Sequence, residues 1–252
     1  MKNNRKKIVS YLDKELRISE INDLSCNGLQ VEGTENIKRI ALAVDACMAV
    51  FEKTRKKRCQ MIIAHHGLIW GGIKSVSKTI KQNLSFLLTN EINLYAAHIP
   101  LDLHPKLGNN IQLCKTINLR KIREFGEYEG NLIGFEGELI KTFSIEELTK
   151  RINQKIGGVS KILPFGKDKI KRIGIVSGGG AKSLIEAIEK DLDCFITGEH
   201  VHENYHLARE SRINVLYIRH YHSEKLGVIA LGKDLAKRFG IETIFIEEPT
   251  PI

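Results

Sequence analysis

The sequence predicts an α/β protein built as two pseudo-symmetric α/β lobes with largely parallel sheets, and a dinuclear metal site in the cleft between them. Three observations lead there. Short apolar runs alternate with segments of helical period along the 252 residues. The second half repeats the rhythm of the first. Three of the windows that follow apolar runs, Ile63-Ala64-His65-His66-Gly67, His98-Ile99-Pro100-Leu101-Asp102 and His220-Tyr221-His222-Ser223-Glu224, hold five of the nine histidines.

The elements follow in order. Residues 4–17 read as an opening helix. Arg39 to Val44 is a buried strand, with a helix after it to about Lys57. Met61 to Ala64 is a strand, Lys78 to Leu88 a helix, Asn93 to Ala97 a strand, and Asn109 to Thr116 a helix. The pattern then shifts. Gly126 to Leu139 is glycine-rich and alternating, as antiparallel strands are. Ser144-Ile145-Glu146-Glu147 opens a helix with an N-cap and an acidic first turn. Strands at 173–176, 194–197 and 215–219 are separated by helices at 182–190 and 203–210. A helix from about Ser223 to Phe239 and a strand at 242–246 close the chain.

The halves overlay. Met61 to His66 matches Cys194 to Glu199, Leu94 to His98 matches Val215 to His220, and Asp102 then falls opposite Glu224, each four residues past a histidine. The expected lobes are residues 1–125 and 126–252, packed closely enough to count as one domain.

Composition bounds the class. Hydrophobic content of 42% and charged content of 27% suit a globular chain with a sizeable core. No run of 18 apolar residues occurs, so no membrane-spanning helix is expected. No apolar signal core follows the basic stretch Met1 to Lys7, and the expected location is cytoplasmic. The five cysteines are scattered without a Cys-x-x-Cys pair, which suggests neither a cysteine zinc knuckle nor a disulfide framework. The net charge of +9 gathers at Lys2–Lys7, Arg55-Lys56-Lys57-Arg58, Arg120 to Arg123 and Lys167–Arg172. Such clusters favour phosphate-bearing partners, or are the solvated surface of a lysine-rich protein.

Open α/β sheets collect ligands beyond the carboxyl ends of their strands, where His65, His66, His98 and His220 all fall. Asp102 and Glu224 follow one helical turn or a short loop later. Imidazole and carboxylate without thiolate suit Zn, Fe, Mn, Co or Ni, and a carboxylate such as Glu224 can bridge two ions. Around Thr197 to His206, Glu199 and His206 are candidates for a general acid or base, or for a group that orients a ligand; His206 also reads as a structural histidine. Ser177-Gly178-Gly179-Gly180 lies between a strand and a helix, fails the Walker and dinucleotide patterns, and reads as a tight turn against the neighbouring lobe. Trp70, the sole tryptophan, walls the cleft or belongs to core or interface.

These segments resemble the Nif-three-like family, whose members carry the name GTP cyclohydrolase I type 2 homologue. The likeness runs through Asn27 to Gly33, His65-His66-Gly67, His98 to Asp102, His104-Pro105, Leu107 to Asn110, Ser177 to Gly180, Thr197-Gly198-Glu199, His206, Ala208-Arg209-Glu210, His220 and Glu224. It implies two divalent metal ions per chain held by His65, His66, Asp102, His220 and Glu224, with Glu224 bridging and His98 beside them as an acid/base or further ligand. It also implies a homo-oligomeric, hexameric ring. The chain is similar to the compact form that lacks an inserted middle domain. His222 stands where a small residue is usual and is left outside the ligand set.

Three functions are compatible with these readings. One is a metal-dependent, cyclohydrolase-like hydrolase of a nucleotide or related small phosphate compound. The second is a ring that binds DNA or other nucleic acid through its basic surface, with structural metals. The third is a metal-handling regulatory protein.

Overall fold

The structure, a computed structural model, describes residues 4–251. Met1, Lys2 and Asn3 of the basic N-terminal stretch lie outside the described residues. The chain divides into two compact units. The first takes the described residues up to Leu107 and returns for Gly227–Glu248; the second is Gly108–Leu226 with residues 249–251.

In the first unit, helix α1 (Arg5–Glu15) is followed by β1 (Gly28–Val31), β2 (Arg39–Asp45), α2 (Met48–Lys56), β3 (Met61–His66), α3 (Lys78–Thr89), β4 (Asn93–Ala96) and the single turn α4 (Ile99–Asp102). The sheet is ordered β1-β4-β3-β2-β11, where β11 is Glu242–Phe245. Pairings from β4 to β11 are parallel; β1 is antiparallel on β4. Both faces are covered, which is why its strands read as unbroken apolar runs. Ile40, Leu42, Met61, Ile63 and Tyr95 join Ile8 and Leu12 of α1 on one face. Ala41, Ala43, Ile62, Ala64 and Leu94 join Val50, Phe51 and Leu87 on the other.

In the second unit, α5 (Asn109–Thr116) leads into the hairpin β5 (Leu119–Tyr128) and β6 (Asn131–Phe143). Then come α6 (Ile145–Lys155), β7 (Lys161–Pro164), β8 (Ile170–Val176), a 3-10 turn (Gly180–Ser183), α7 (Leu184–Glu189), β9 (Cys194–Thr197), α8 (Asn204–Glu210) and β10 (Asn214–Tyr217). Helix α9 (His220–Phe239) begins in this unit and ends in the first. The order is β5-β6-β8-β9-β10-β7. The central strands β8, β9 and β10 are parallel, and the flanking pairings are antiparallel. The antiparallel margin is the glycine-rich alternation of the sequence. Ser144 caps α6 in a full capping box with Glu147, as its spacing predicts.

From α1 in the first unit and from α6 in the second, the chain runs α-β-β-α-β-α-β-α, with a parallel triplet (β2-β3-β4 and β8-β9-β10) and a short antiparallel strand, β1 or β7, on the last member. The sequence register of the repeat is the register of these strands. The expected lobe boundary at 125/126 differs from the observed division, because it falls inside β5, which pairs with β6 on both sides of it. The composition shift at Gly126 marks a hairpin within a unit. The passage between units comes earlier, ahead of α5, whose Ile111 and Cys114 pack into the second core.

Asp193, buried before β9, accepts from the main-chain N–H of Lys171 (2.9 Å) and Arg172 (2.8 Å) and from Lys167 Nζ (2.9 Å). Burial alone would raise its pKa, but these hydrogen bonds and the Lys167 charge hold it below the usual carboxylate range. Asp193→Ala is expected to cost about 2–3 kcal/mol in urea unfolding, because the half-buried N–H groups of Lys171 and Arg172 lose their acceptor and Lys167 its partner. A depressed carboxylate contributes fully above its unfolded pKa of about 4 and loses that contribution as pH falls through the folded value. The gap between wild type and Asp193→Ala should therefore close in acid.

Candidate metal centre

Parallel strands β2, β3 and β4 end together, and the polar groups of the first unit collect at that edge. His65 and His66 close β3, and Asp45, the last residue of β2, is the registered partner of His66. His98 follows β4 and precedes α4, which ends on Asp102. The ligand atoms of His65, His66 and His98 lie within 4.8 Å of one another. The adjacent rings of His65 and His66, on a strand that should send neighbours to opposite faces, are 4.7 Å apart between centroids.

Each imidazole is held at Nδ1. His65 Nδ1 lies 2.8 Å from the carbonyl oxygen of Ala97. His66 Nδ1 lies 2.8 Å from Asp45 Oδ1. His98 Nδ1 lies 3.0 and 2.9 Å from the two oxygens of Asp23. A carbonyl or ionised carboxylate oxygen only accepts, so Nδ1 carries a proton, and in the neutral ring Nε2 is then the atom with the lone pair. His65 Nε2 sits 3.4 Å from Asp102 Oδ2. His65 and Asp102 are buried, a costly place for such groups without a purpose.

Asp23 is the hub of the His98 support. It also accepts from Asn27 Nδ2 (2.7 Å) and from the N–H groups of Ser25 (3.1 Å) and Ile99 (3.1 Å), while Asn27 Oδ1 takes the His98 N–H (2.8 Å). Burial would raise the Asp23 pKa, but the hydrogen bond and charge of His98, with the hydrogen bonds of Asn27 and of the Ser25 N–H, bring it below the ordinary value. Asp23 therefore stays anionic beside His98 near neutrality.

The second unit repeats the device. Arg219, at φ +60°, turns the chain out of the strand region after β10, and α9 starts on His220, three residues ahead of the helix expected from about Ser223. His220 and Glu224 are then one turn apart, with Nε2 to Oε2 at 2.8 Å. His220 Nδ1 lies 2.6 Å from Glu199 Oε1. Burial would lower the His220 pKa, but hydrogen bonds and charges of Glu224 and Glu199 outweigh it and raise it to about 9. Without metal this imidazole is therefore a cation near neutrality. Gly178 makes room for the pair: its φ is +57°, and a Cβ there would overlap Glu224 Oε1. Its N–H donates to Ser223 Oγ (2.8 Å). The glycine run is thus a tight turn against the first turn of α9 in its own unit.

The remaining candidates divide. Glu199 is an orienting carboxylate. His206 is exposed on α8 with its ring edge-on to Tyr205 at 5.3 Å. His222 stands over the Gly157-Gly158 turn, which a Cβ at Gly158 would close. Trp70 lies beside His98, ring centroids 5.0 Å apart. Of the basic clusters, Arg55 to Arg58 is exposed at the end of α2, whereas Lys121 pairs with Glu138 and Lys167 with Asp193. Sequence reasoning missed Asp45 and Asp23. Asp45 carried a signal, since it closes an apolar run just as His65 does. Asp23 carried none. Among the described residues no helix is long and apolar enough to cross a membrane.

Comparison with known proteins agrees with this architecture. Residues 3–251 match the family Duf34/NIF3 (NGG1p interacting factor 3). Proteins named GTP cyclohydrolase 1 type 2 homolog are similar along their whole length: 42% identity for that of Archaeoglobus fulgidus, covering 98% of this chain and 99% of the relative, and 45% for that of Pyrococcus abyssi, covering 98% of each. A solved structure from Thermus thermophilus superposes with a TM-score of 0.92 at 35% identity, covering 99% of this chain and 100% of that one. Reduced HcgD from Methanocaldococcus jannaschii superposes at 0.84 and 26% identity, with 98% of each chain covered.

Two outcomes follow from the Nδ1 contacts. Asp45→Ala and Glu199→Gln are each expected to weaken zinc binding about 10- to 100-fold in calorimetric titration, with far-UV circular dichroism unchanged. In NMR titration of the metal-free protein, His220 should titrate at about 9, and Glu199→Gln should bring that value down.

Proposed function

The chain belongs to the Duf34/NIF3 family, and we propose that it is a divalent-metal-binding protein acting as a hydrolase on a nucleotide or related small phosphate compound. The ligands are His65, His66 and Asp102 in the first unit and His220 and Glu224 in the second. One observation carries the reading: every candidate histidine is engaged at Nδ1 by an oxygen acceptor, which leaves Nε2 as the donor atom, beside a carboxylate for His65 and His220. Ion pairing alone would not require this at all four. The donor set is hard to borderline and free of sulfur, which fits Zn, Fe, Mn, Co or Ni. When bound, such ions supply Lewis acidity toward a phosphoryl or carbonyl-like oxygen.

The chain's own residues have separate tasks in this reading. Asp45 and Glu199 fix the rings of His66 and His220. Asp23 keeps a proton on His98 Nδ1 and a basic lone pair on Nε2, the arrangement a proton-transfer histidine needs. The five ligand side chains would hold the divalent ions, which when bound would polarise the oxygen under attack.

Elemental analysis of purified protein reconstituted with zinc is expected to give about two ions per chain, the number a two-metal hydrolase uses. His65→Ala and Glu224→Ala should each lower that number and abolish turnover in a screen of nucleotides and small phosphate esters. Turnover that persists in a metal-free Glu224→Ala protein would contradict the hydrolase reading, and wild-type metal content in that variant would contradict the part of Glu224 as a ligand.

A further inference from the structure

Beside the histidines of the first unit, apolar side chains face solvent. Trp70 is 38% exposed, Leu24 65% and Ile73 46%. The stretch Leu68 to Ser77 carries one charged residue, Lys74. An exposed indole forfeits the free energy its burial would bring, and a loose one would be a surface accident.

This indole is fixed. Its Nε1–H donates to the Gly67 carbonyl at 2.9 Å. Trp70 forms an antiparallel bridge with Ser25, and the Gly71 N–H donates to Leu24 O at 2.8 Å. Gln30 clamps the same loop. Its Oε1 accepts from the N–H groups of Leu68 (2.7 Å) and Ile69 (3.1 Å), and its Nε2 donates to the carbonyls of Cys26 (2.8 Å) and Ile69 (3.2 Å). The ring then stands 5.0 Å from His98, at 71° to it, and 6.2 Å from His66. Its polar atom is spent on the backbone, so what it offers a ligand is π surface, continuous with the donor rings.

From this we infer that Trp70 is a stacking wall for the planar heteroaromatic ring of a small substrate, with Leu24 extending its apolar edge. The inference rests on the metal reading above and narrows its substrate class. A sugar phosphate without a base gains little from such a surface, whereas any base can stack on it. A phosphate-only ligand would call for cations, and this wall has none but Lys74.

Trp70 is the sole tryptophan, so its fluorescence reports the wall directly. Zinc-loaded protein would be titrated with guanosine monophosphate, cytidine monophosphate and ribose 5-phosphate, with emission and calorimetry read together. Both nucleotides should quench saturably, and ribose 5-phosphate should not. Trp70→Ala should weaken nucleotide binding at least about fivefold, the lower end for loss of a stacked base. Trp70→Phe should stay within about twofold, since it keeps a π face. Both variants should keep wild-type zinc content, and ribose 5-phosphate should bind them as it binds wild type.

The inference is overturned by unchanged nucleotide affinity in Trp70→Ala or by an equal loss for ribose 5-phosphate. It is equally overturned by zinc loss in that variant, which would make the indole a support for the histidines, or by a changed oligomeric state, which would make the patch a self-interface. Far tighter, steeply salt-dependent quenching by an oligonucleotide would assign the wall to nucleic acid instead. If the wild type takes up no zinc, the metal reading fails by itself. Quenching of zinc-free protein by nucleotides alone then still upholds the wall, and its absence overturns it.

Discussion

A carbonyl oxygen cannot donate a hydrogen bond, and that of Ala97 lies 2.8 Å from Nδ1 of the buried His65. That contact sets the tautomer of the ring at the end of β3, and the rest of the donor chemistry follows the same constraint. Asp45 does it for His66, Asp23 for His98 and Glu199 for His220. The sheet makes this cheap. Parallel strands that end in register put the last residue of β2 opposite the last residue of β3, and the first residues after β4 beside the end of β3 on its other side. The supporting group is thus delivered by the strand ladder.

The duplicated topology explains why the device occurs twice with different parts. In the first unit the four-residue step from histidine to carboxylate is the single turn α4, opened by Pro100, whose fixed φ suits the first helical turn. In the second unit the same step is the first turn of the 20-residue α9. Thr197-Gly198-Glu199 occupies the register of Ala64-His65-His66, so a strand-end position that supplies imidazoles in one unit supplies an orienting carboxylate in the other. Gly178 and Gly67 belong to the same economy. A side chain at Gly178 would collide with Glu224, and one at Gly67 with Gln30.

Much of this was legible in the sequence because it depends on local order. Apolar runs that end on His or Asp announce strand ends, and the capping box at Ser144 announces α6. The repeat gave the correspondence of Asp102 and Glu224. What was not legible depends on partners distant along the chain or on strands too short to show a period. β1 (Gly28–Val31) and β7 (Lys161–Pro164) are four-residue strands on antiparallel edges. The Asp23 carboxylate meets His98 across 75 residues, a separation that no spacing rule reveals. The unit boundary was misplaced because a hairpin's glycines look like a linker's. The helix start at His220 was missed because the turn comes from a left-handed Arg219, a residue type that carries no turn signal.

The central claim is that Nδ1 capture reserves Nε2 for metal. Cadmium-113 NMR on protein labelled with nitrogen-15 histidine tests it directly, because one-bond coupling identifies the coordinating nitrogen. The account requires coupling to Nε2 of His65, His66 and His220, with Nδ1 of each still protonated. Coupling to Nδ1 at any of these rings, or uncoupled imidazoles in a cadmium-loaded protein, would contradict it.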